Sequence, residues 1–474
     1  MYRRFFSLCV VASAIAATGA NTFAADADLG ADPGAVYHGN SIDTPNPSGM
    51  LRTVTLDGKR LDGSNLFFQS LGTNGRSCVS CHVPSAGWTL TPSEVQRRFR
   101  QTDGLDPIFR TNDGSNSPNA DVSTVAKRRT AYSMLLSRGV IRVGMPIPEG
   151  AEFELVKAED PYGHASAADL SLFRRPLPST NLRFITGVMW DGRESYGPAG
   201  TTPLSATASV ADNAEILFND LMHQANDATM GHAQGLAISE EQAVEIVSFE
   251  LNLVTAQTRD RLAGALDVKG GAGGPEFLAQ QPFYVTINDV LGADVLTRKF
   301  EPLSMTLFDK WTGARDRDRA AIARGAALFG ATRLDITNVG GLNDDLKIPS
   351  LRGSCTTCHD APNVGNHSVP LPIDIGVTDA SRRTADMPLY TLRNLTTGQT
   401  RLTTDPGRAL LTGKWKDIGK FKGPVLRGLA SRAPYFHDGS GTDLPSLVDF
   451  YDTRFNMGLT PQEKADLVAF LNAL

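Results

Sequence analysis

The chain has 474 residues, of which 41% are hydrophobic and 20% charged, and a net charge of −5. These are the proportions of an ordinary globular protein able to build several cores, and the length alone suggests about three domains. Nothing in the acidic balance steers toward nucleic acid, and that class of partner is set aside.

In chain order the first element is a targeting segment. MYRRFFSLCVVASAIAATGANTFAADA carries Arg3 and Arg4, an apolar run from Phe5, and small residues at Thr22 and Ala24 ahead of a cut. That pattern reads as a secretory signal over 1–24 rather than a membrane span. Its removal takes away Cys9, two arginines and no acid, so the −5 becomes −7. No other apolar run approaches the roughly 20 residues that cross a bilayer, so the mature chain is expected to be soluble in the periplasm.

The other four of the five cysteines fall in CVSCH (78–82) and CTTCH (355–359). Two cysteines separated by two residues suit a redox dithiol, half of a zinc site, a disulfide or haem attachment. The histidine directly after the second cysteine separates these readings. In c-type attachment both thiols become thioethers to the haem vinyl groups, and the adjacent His is forced under the iron as an axial ligand. Two motifs predict two covalent haems that consume Cys78, Cys81, Cys355 and Cys358. No thiol is then left for a disulfide framework or a four-cysteine zinc site.

Each motif follows a Gly that stands shortly before Leu-Phe, in LDGSNLFFQSLGTNGRSC and in RAAIARGAALFGATRLD. This weak repeat predicts two cytochrome c-like units, each with a helix leading into its haem loop. Between them lie stretches rich in Gly, Pro, Ser and Asn, residues 111–123 and 268–276, the second of which reads as a linker. SEEQAVEIVSFELNLVTAQ opens with Ser239 and Gln242 at capping-box spacing, and Ala243, Ile246, Val247 and Leu251 share one face. TPQEKADLVAFLNAL has Thr460 as cap, Pro461 in the first turn and Glu463 three beyond the cap. Strand signals are thin. The expectation is a mainly α protein with two haem domains and long irregular insertions: 25–263 N-terminal, 264–318 a linker region, 319–474 C-terminal.

Reducing peroxide to water takes two electrons, whereas one c-type haem moves one. Two haems allow one iron to react while the other stores or relays the second electron. On three features the chain resembles the bacterial di-haem cytochrome c peroxidases and their relative MauG: VMWDGRE (188–194), FKGPVLRGLASRAPYFHDGS (421–440), and the order of the two haem motifs. The resemblance implies a peroxide-reacting N-terminal haem with His82 as proximal ligand and an electron-transfer C-terminal haem with His359. It implies hydrogen peroxide as substrate and a small periplasmic redox protein as electron donor. Trp190 takes the place of the tryptophan between the haems, a relay; otherwise it is a large core aromatic.

For the second iron's sixth ligand, the family position counted from His437 reaches Tyr451, and Met457 is the alternative six residues on. Tyr451 is the preferred ligand; His437 holds the loop or a haem edge. The removable His that family members carry after the first motif is missing from PSEVQRRFR, which implies an iron open in the resting state. Their Gln and Glu after the W-D-G-R segment have no clear counterpart, which leaves Glu215 and His232 as acid/base candidates. His38, His164, His223 and His367 are read as ordinary, with His164 a distant third choice. A calcium ion between the domains is a further implied feature, with Arg432 and Pro434 as carbonyl donors, but basic KRRT replaces an expected Asn. The rival readings are a MauG-like oxidase or oxygenase that uses a high-valent di-haem state on a protein or organic substrate, and a plain di-haem electron carrier.

Overall fold

The computed structural model describes residues 35–61, 63–195 and 204–474. The expected signal segment and Cys9 lie outside them, as does part of the stretch after VMWDGRE. The main correction to the expected mainly α architecture is strand content. Ser41–Asn46 and Gly49–Thr55 form a hairpin, and Gly49–Thr55 pairs antiparallel with Leu253–Asp260 in a five-stranded sheet. The sheet buries Ile42, Leu51, Val54, Leu253 and Val254. Its hydroxyls form a ladder: Thr53 to Thr255 at 2.8 Å and Thr255 to Thr180 at 2.8 Å. Trp88, wholly buried, donates its indole N–H to Thr53 at 2.9 Å, which ties the first haem loop to the sheet. Gly49–Thr55 and Leu253–Asp260 pair across some 200 residues of sequence, so no local pattern announced that pairing.

A second sheet crosses the expected domain boundary. Phe153–Glu159 pairs antiparallel with Leu389–Asn394, which pairs in turn with Thr400–Thr403. The stretch 264–318 packs rather than hangs: Phe308 and Trp311 are buried and stacked with ring centroids 4.8 Å apart. Its glycines serve close approach, since a Cβ on Gly271 would lie 2.5 Å from Leu266 O and from the Trp311 ring. The Val268 carbonyl accepts from the Trp311 indole at 3.1 Å.

Both predicted capping boxes form, at Ser239/Gln242 opening Glu240–Asn252 and at Thr460/Glu463 opening Pro461–Asn472. The expected lead-in helix exists only in the second unit, as Arg317–Gly330. In the first unit Leu66–Phe68 is a single 3₁₀ turn, because Gly63, Gly72 and Gly75 interrupt the run. The repeat is nonetheless real at one residue. Phe67 and Phe329, each four after its Gly, stand 6.3 and 6.2 Å from the His82 and His359 rings.

Candidate functional site

The two motifs adopt one local structure. Ser77 and Ser354 cap short 3₁₀ turns, and the side chains of Ser80 and Thr357 reach back to the cap N–H groups. His82 Nδ1 donates to the Trp88 carbonyl at 3.2 Å, and His359 Nδ1 donates to the Gly365 carbonyl, each acceptor six residues on. A histidine held by Nδ1 presents Nε2 as its free, ligating nitrogen. Burial lowers both imidazoles to about 4, so both are neutral, the form that binds a metal. Burial also raises Cys81 to about 11 and Cys355 and Cys358 to about 12, and raises Cys78 further. Such thiols do not suit a reactive redox dithiol.

One continuous cavity is lined by all four motif cysteines, His82, His359 and Trp190. Its walls are largely apolar, with Leu182, Ile185 and Ile246 among its lining residues, as are Ile373, Val448 and Leu471. Buried cations also face it. Arg432 is 6% exposed and its Nη2 has no partner among the described residues, and the Lys422 ammonium donates to the Gly187 carbonyl. Burial, opposed by Asp191, pulls Lys422 down to about 7. Thiol pairs, neutral imidazoles, apolar walls and buried cations together fit two haems, whose propionates are anionic.

The W-D-G-R segment places Trp190 through its turn. Met189 at φ 66° and Gly192 at φ 76° bend the chain on either side. The Trp190 indole donates to the Arg175 carbonyl at 2.8 Å, and its own carbonyl accepts from Lys422 N–H at 2.9 Å. Asp191 is wholly buried; burial alone would raise its carboxyl, but Arg174, at 2.5 Å, and Arg193 bring it below the usual range. Arg174 also forms a bidentate pair with Asp405 at 2.7 and 2.9 Å.

The segment 421–440 closes on itself. Phe421 stacks on His437 with centroids 4.4 Å apart, and the Tyr435 hydroxyl donates to the Leu429 carbonyl. His437 is 2% exposed and edge-on to Trp190, in keeping with a loop-holding role. Tyr451 and Met457 both line the cavity. Burial, then the nearby Cys358 and Cys355, raise the Tyr451 phenol well above its ordinary value, which puts it beside the second motif.

His232 caps Val210–Gly231 at its C-terminal end and lines the cavity. Its Nδ1 meets Asp113 Oδ2 at 2.6 Å, and Asp113 also pairs with the buried Arg76 just before the first motif. Glu215 is exposed on the same helix and does not line the cavity. The region 111–123, read only as an irregular insertion, supplies Asp113, which no local signal marked. Gln224, one face with His232, and the buried Glu250 also line the cavity. Among the residues read as ordinary, His164 pairs with Asp169 at 2.7 Å and His223 with Glu194 at 2.7 Å. His367 departs from that reading in place: it is 6% exposed, lines the cavity and faces Asp360 at 3.3 Å.

No family model matches the chain. Over 143 residues it is 32% identical to cytochrome-c peroxidase IdrP1 of Pseudomonas sp. (strain SCT), a match that covers 26% of this chain and 37% of the relative. It is 33% identical over 141 residues to cytochrome-c peroxidase IdrP2 of Denitromonas iodatirespirans, covering 28% and 38%. Over these stretches the chain is similar to curated cytochrome-c peroxidases. The matched stretch spans less than half the length of each relative. Two solved structures are similar: a MauG-like protein associated with microbial copper homeostasis, 16% identical with a TM-score of 0.35 over 87% of each chain, and Kuenenia stuttgartiensis hydrazine synthase, 14% identical with a TM-score of 0.32 over 81% and 93%. Among the described residues no helix is long and apolar enough to cross a membrane.

Proposed function

We propose that the chain is a periplasmic two-haem c-type oxidoreductase that reduces hydrogen peroxide at the N-terminal haem, with electrons relayed through the C-terminal haem from a small redox protein. The observation that carries this reading is the single cavity lined by both C-x-x-C-H motifs and by Trp190. Bound covalently at each motif, haem would supply the one-electron redox chemistry.

The chain's residues do the rest. His82 and His359 present Nε2 from rings that backbone carbonyls hold in one tautomer. His232, oriented by Asp113 at Nδ1, keeps Nε2 free to accept a proton from one peroxide oxygen and return it to the other. The reaction takes up two electrons and two protons and releases two waters. Trp190, fixed at its indole N–H and its carbonyl, offers a π path along the cavity wall. Tyr451, which lines the cavity with Cys355 and Cys358, favours a second reading, a MauG-like oxidase acting on a protein or organic substrate, because a phenolate bound to the iron would lower its potential.

Rapid mixing of the oxidised protein with peroxide tests the proposal. A fast Soret change without prior reduction, followed by turnover with a reduced small cytochrome or copper protein, is expected. Absence of any peroxide reaction in both oxidised and half-reduced protein would contradict it.

A further inference from the structure

The calcium ion implied by the resemblance would need the Arg432 carbonyl, and that oxygen is already taken. Arg175 follows the strand Leu170–Arg174, is 5% exposed, and its guanidinium donates to three backbone carbonyls: Arg138 at 2.8 Å, Leu90 at 2.7 Å and Arg432 at 3.0 Å. Among the described residues no carboxylate pairs with it. A calcium ion takes six to eight oxygens, carboxylates among them. Here it would find neutral carbonyls and two buried guanidiniums, Arg175 and Arg432, the latter donating through Nε to the Gly87 carbonyl at 3.2 Å. Like charge at such range in a dry interior repels strongly. The residues therefore do not fit the ion.

We propose that the Arg175 guanidinium stands in place of that calcium, a covalently fixed cation that gathers the carbonyls of the two halves and positions Trp190. The oxygens it gathers are the kind a hard cation would gather: Leu90 and Arg138 lie on the N-terminal side of the chain and Arg432 within 421–440. Space is shaped for it, since a Cβ on Gly139 would lie 3.0 Å from Arg175 Nη1, at a residue of φ 62°. Its backbone extends the clasp. Arg175 N–H donates to the His437 carbonyl at 2.6 Å, and its carbonyl accepts the Trp190 indole N–H. One residue thus holds, by side chain and main chain together, the junction, the relay tryptophan and the loop of His437. A fixed charge needs no metal supply and cannot be lost to a chelator.

The inference rests on the proposed relay only for the role of Trp190; the metal content of the protein tests the substitution by itself. Elemental analysis of the purified holoprotein should find no stoichiometric calcium, and EGTA should leave its absorption spectrum and melting temperature unchanged. One tightly bound calcium per chain, with a melting temperature that falls on chelation, would overturn the proposal. Arg175→Ala should keep both haems yet slow electron transfer between them by about tenfold or more, as misplacement of a group by an ångström does. Millimolar guanidinium should restore the rate and calcium should not. Rescue by calcium instead, or an unaltered transfer rate in the variant, would refute it. If Arg175→Ala does not accumulate, the conservative Arg175→Lys serves: its ammonium reaches fewer carbonyls, so partial slowing without calcium dependence is expected, and calcium-dependent recovery would count against the proposal.

Discussion

Tyr451 and Met457 face the same cavity from neighbouring positions, and the choice between them decides what the second iron does. With Tyr451 as ligand, Tyr451→Phe should shift the ferric absorption spectrum while Met457→Leu leaves it nearly unchanged; the reverse pattern would make the second haem a higher-potential relay. At the first haem, His232→Ala should slow the peroxide step by about 10²-fold if this ring moves the proton, and an unchanged rate would remove it from that role. Glu250 bears on stability. Burial raises its carboxyl to about 8, against a Ser179 hydrogen bond that lowers it. Between its ordinary 4.5 and that value the unfolded chain releases a proton that the folded chain keeps. Its contribution therefore falls as pH rises through this window, by at most about 1.4 kcal/mol per pH unit, and levels off above. The melting temperature of Glu250→Gln relative to the parent should climb from pH 5 to pH 8, measured by calorimetry; a constant difference would mean that the carboxyl is ionised throughout. The motif cysteines and histidines were legible because their chemistry is written in five consecutive residues. Asp113, Gln224 and Glu250 were not, since Asp113 meets His232, and Gln224 and Glu250 reach the cavity, only through tertiary structure.

The helices that were foreseen are those whose ends carry their own signals. Ser239 with Gln242 and Thr460 with Glu463 satisfy backbone N–H groups by side chains three residues away, so sequence alone places them. The 268–276 glycines misled because permissive backbone and close packing share one composition; only the Trp311 ring tells them apart. In the second unit, Arg317–Gly330 crosses Pro461–Asn472 at Gly325, where a Cβ would lie 2.0 Å from the Asp466 carbonyl. Phe470, wholly buried, packs on Phe329 at 5.6 Å beside this crossing. Gly325→Ala must push the helices apart and should cost about 1–3 kcal/mol. Because Phe329 adjoins His359, the variant should also disturb the second haem's spectrum before the first's. A melting temperature equal to the parent's would show that the crossing yields freely.

Across the whole molecule, the halves that carry the two C-x-x-C-H motifs are not beads on a string. Sheet pairing of Phe153–Glu159 with Leu389–Asn394, the Arg174 pair with Asp405 and the Arg175 clasp join the halves around one cavity. That unity is what the proposed two-electron device requires, since both motifs must open into one enclosed space. The two motifs are plain in the sequence, but their sharing of a cavity depends on contacts more than 200 residues apart. Electron paramagnetic resonance of the purified ferric protein tests the account most directly, because it counts the irons and reads the coordination of each. One high-spin iron, open to peroxide beside His82, and one low-spin iron, closed at the second motif, are predicted in equal amounts. Two low-spin irons, or one iron per chain, would contradict it.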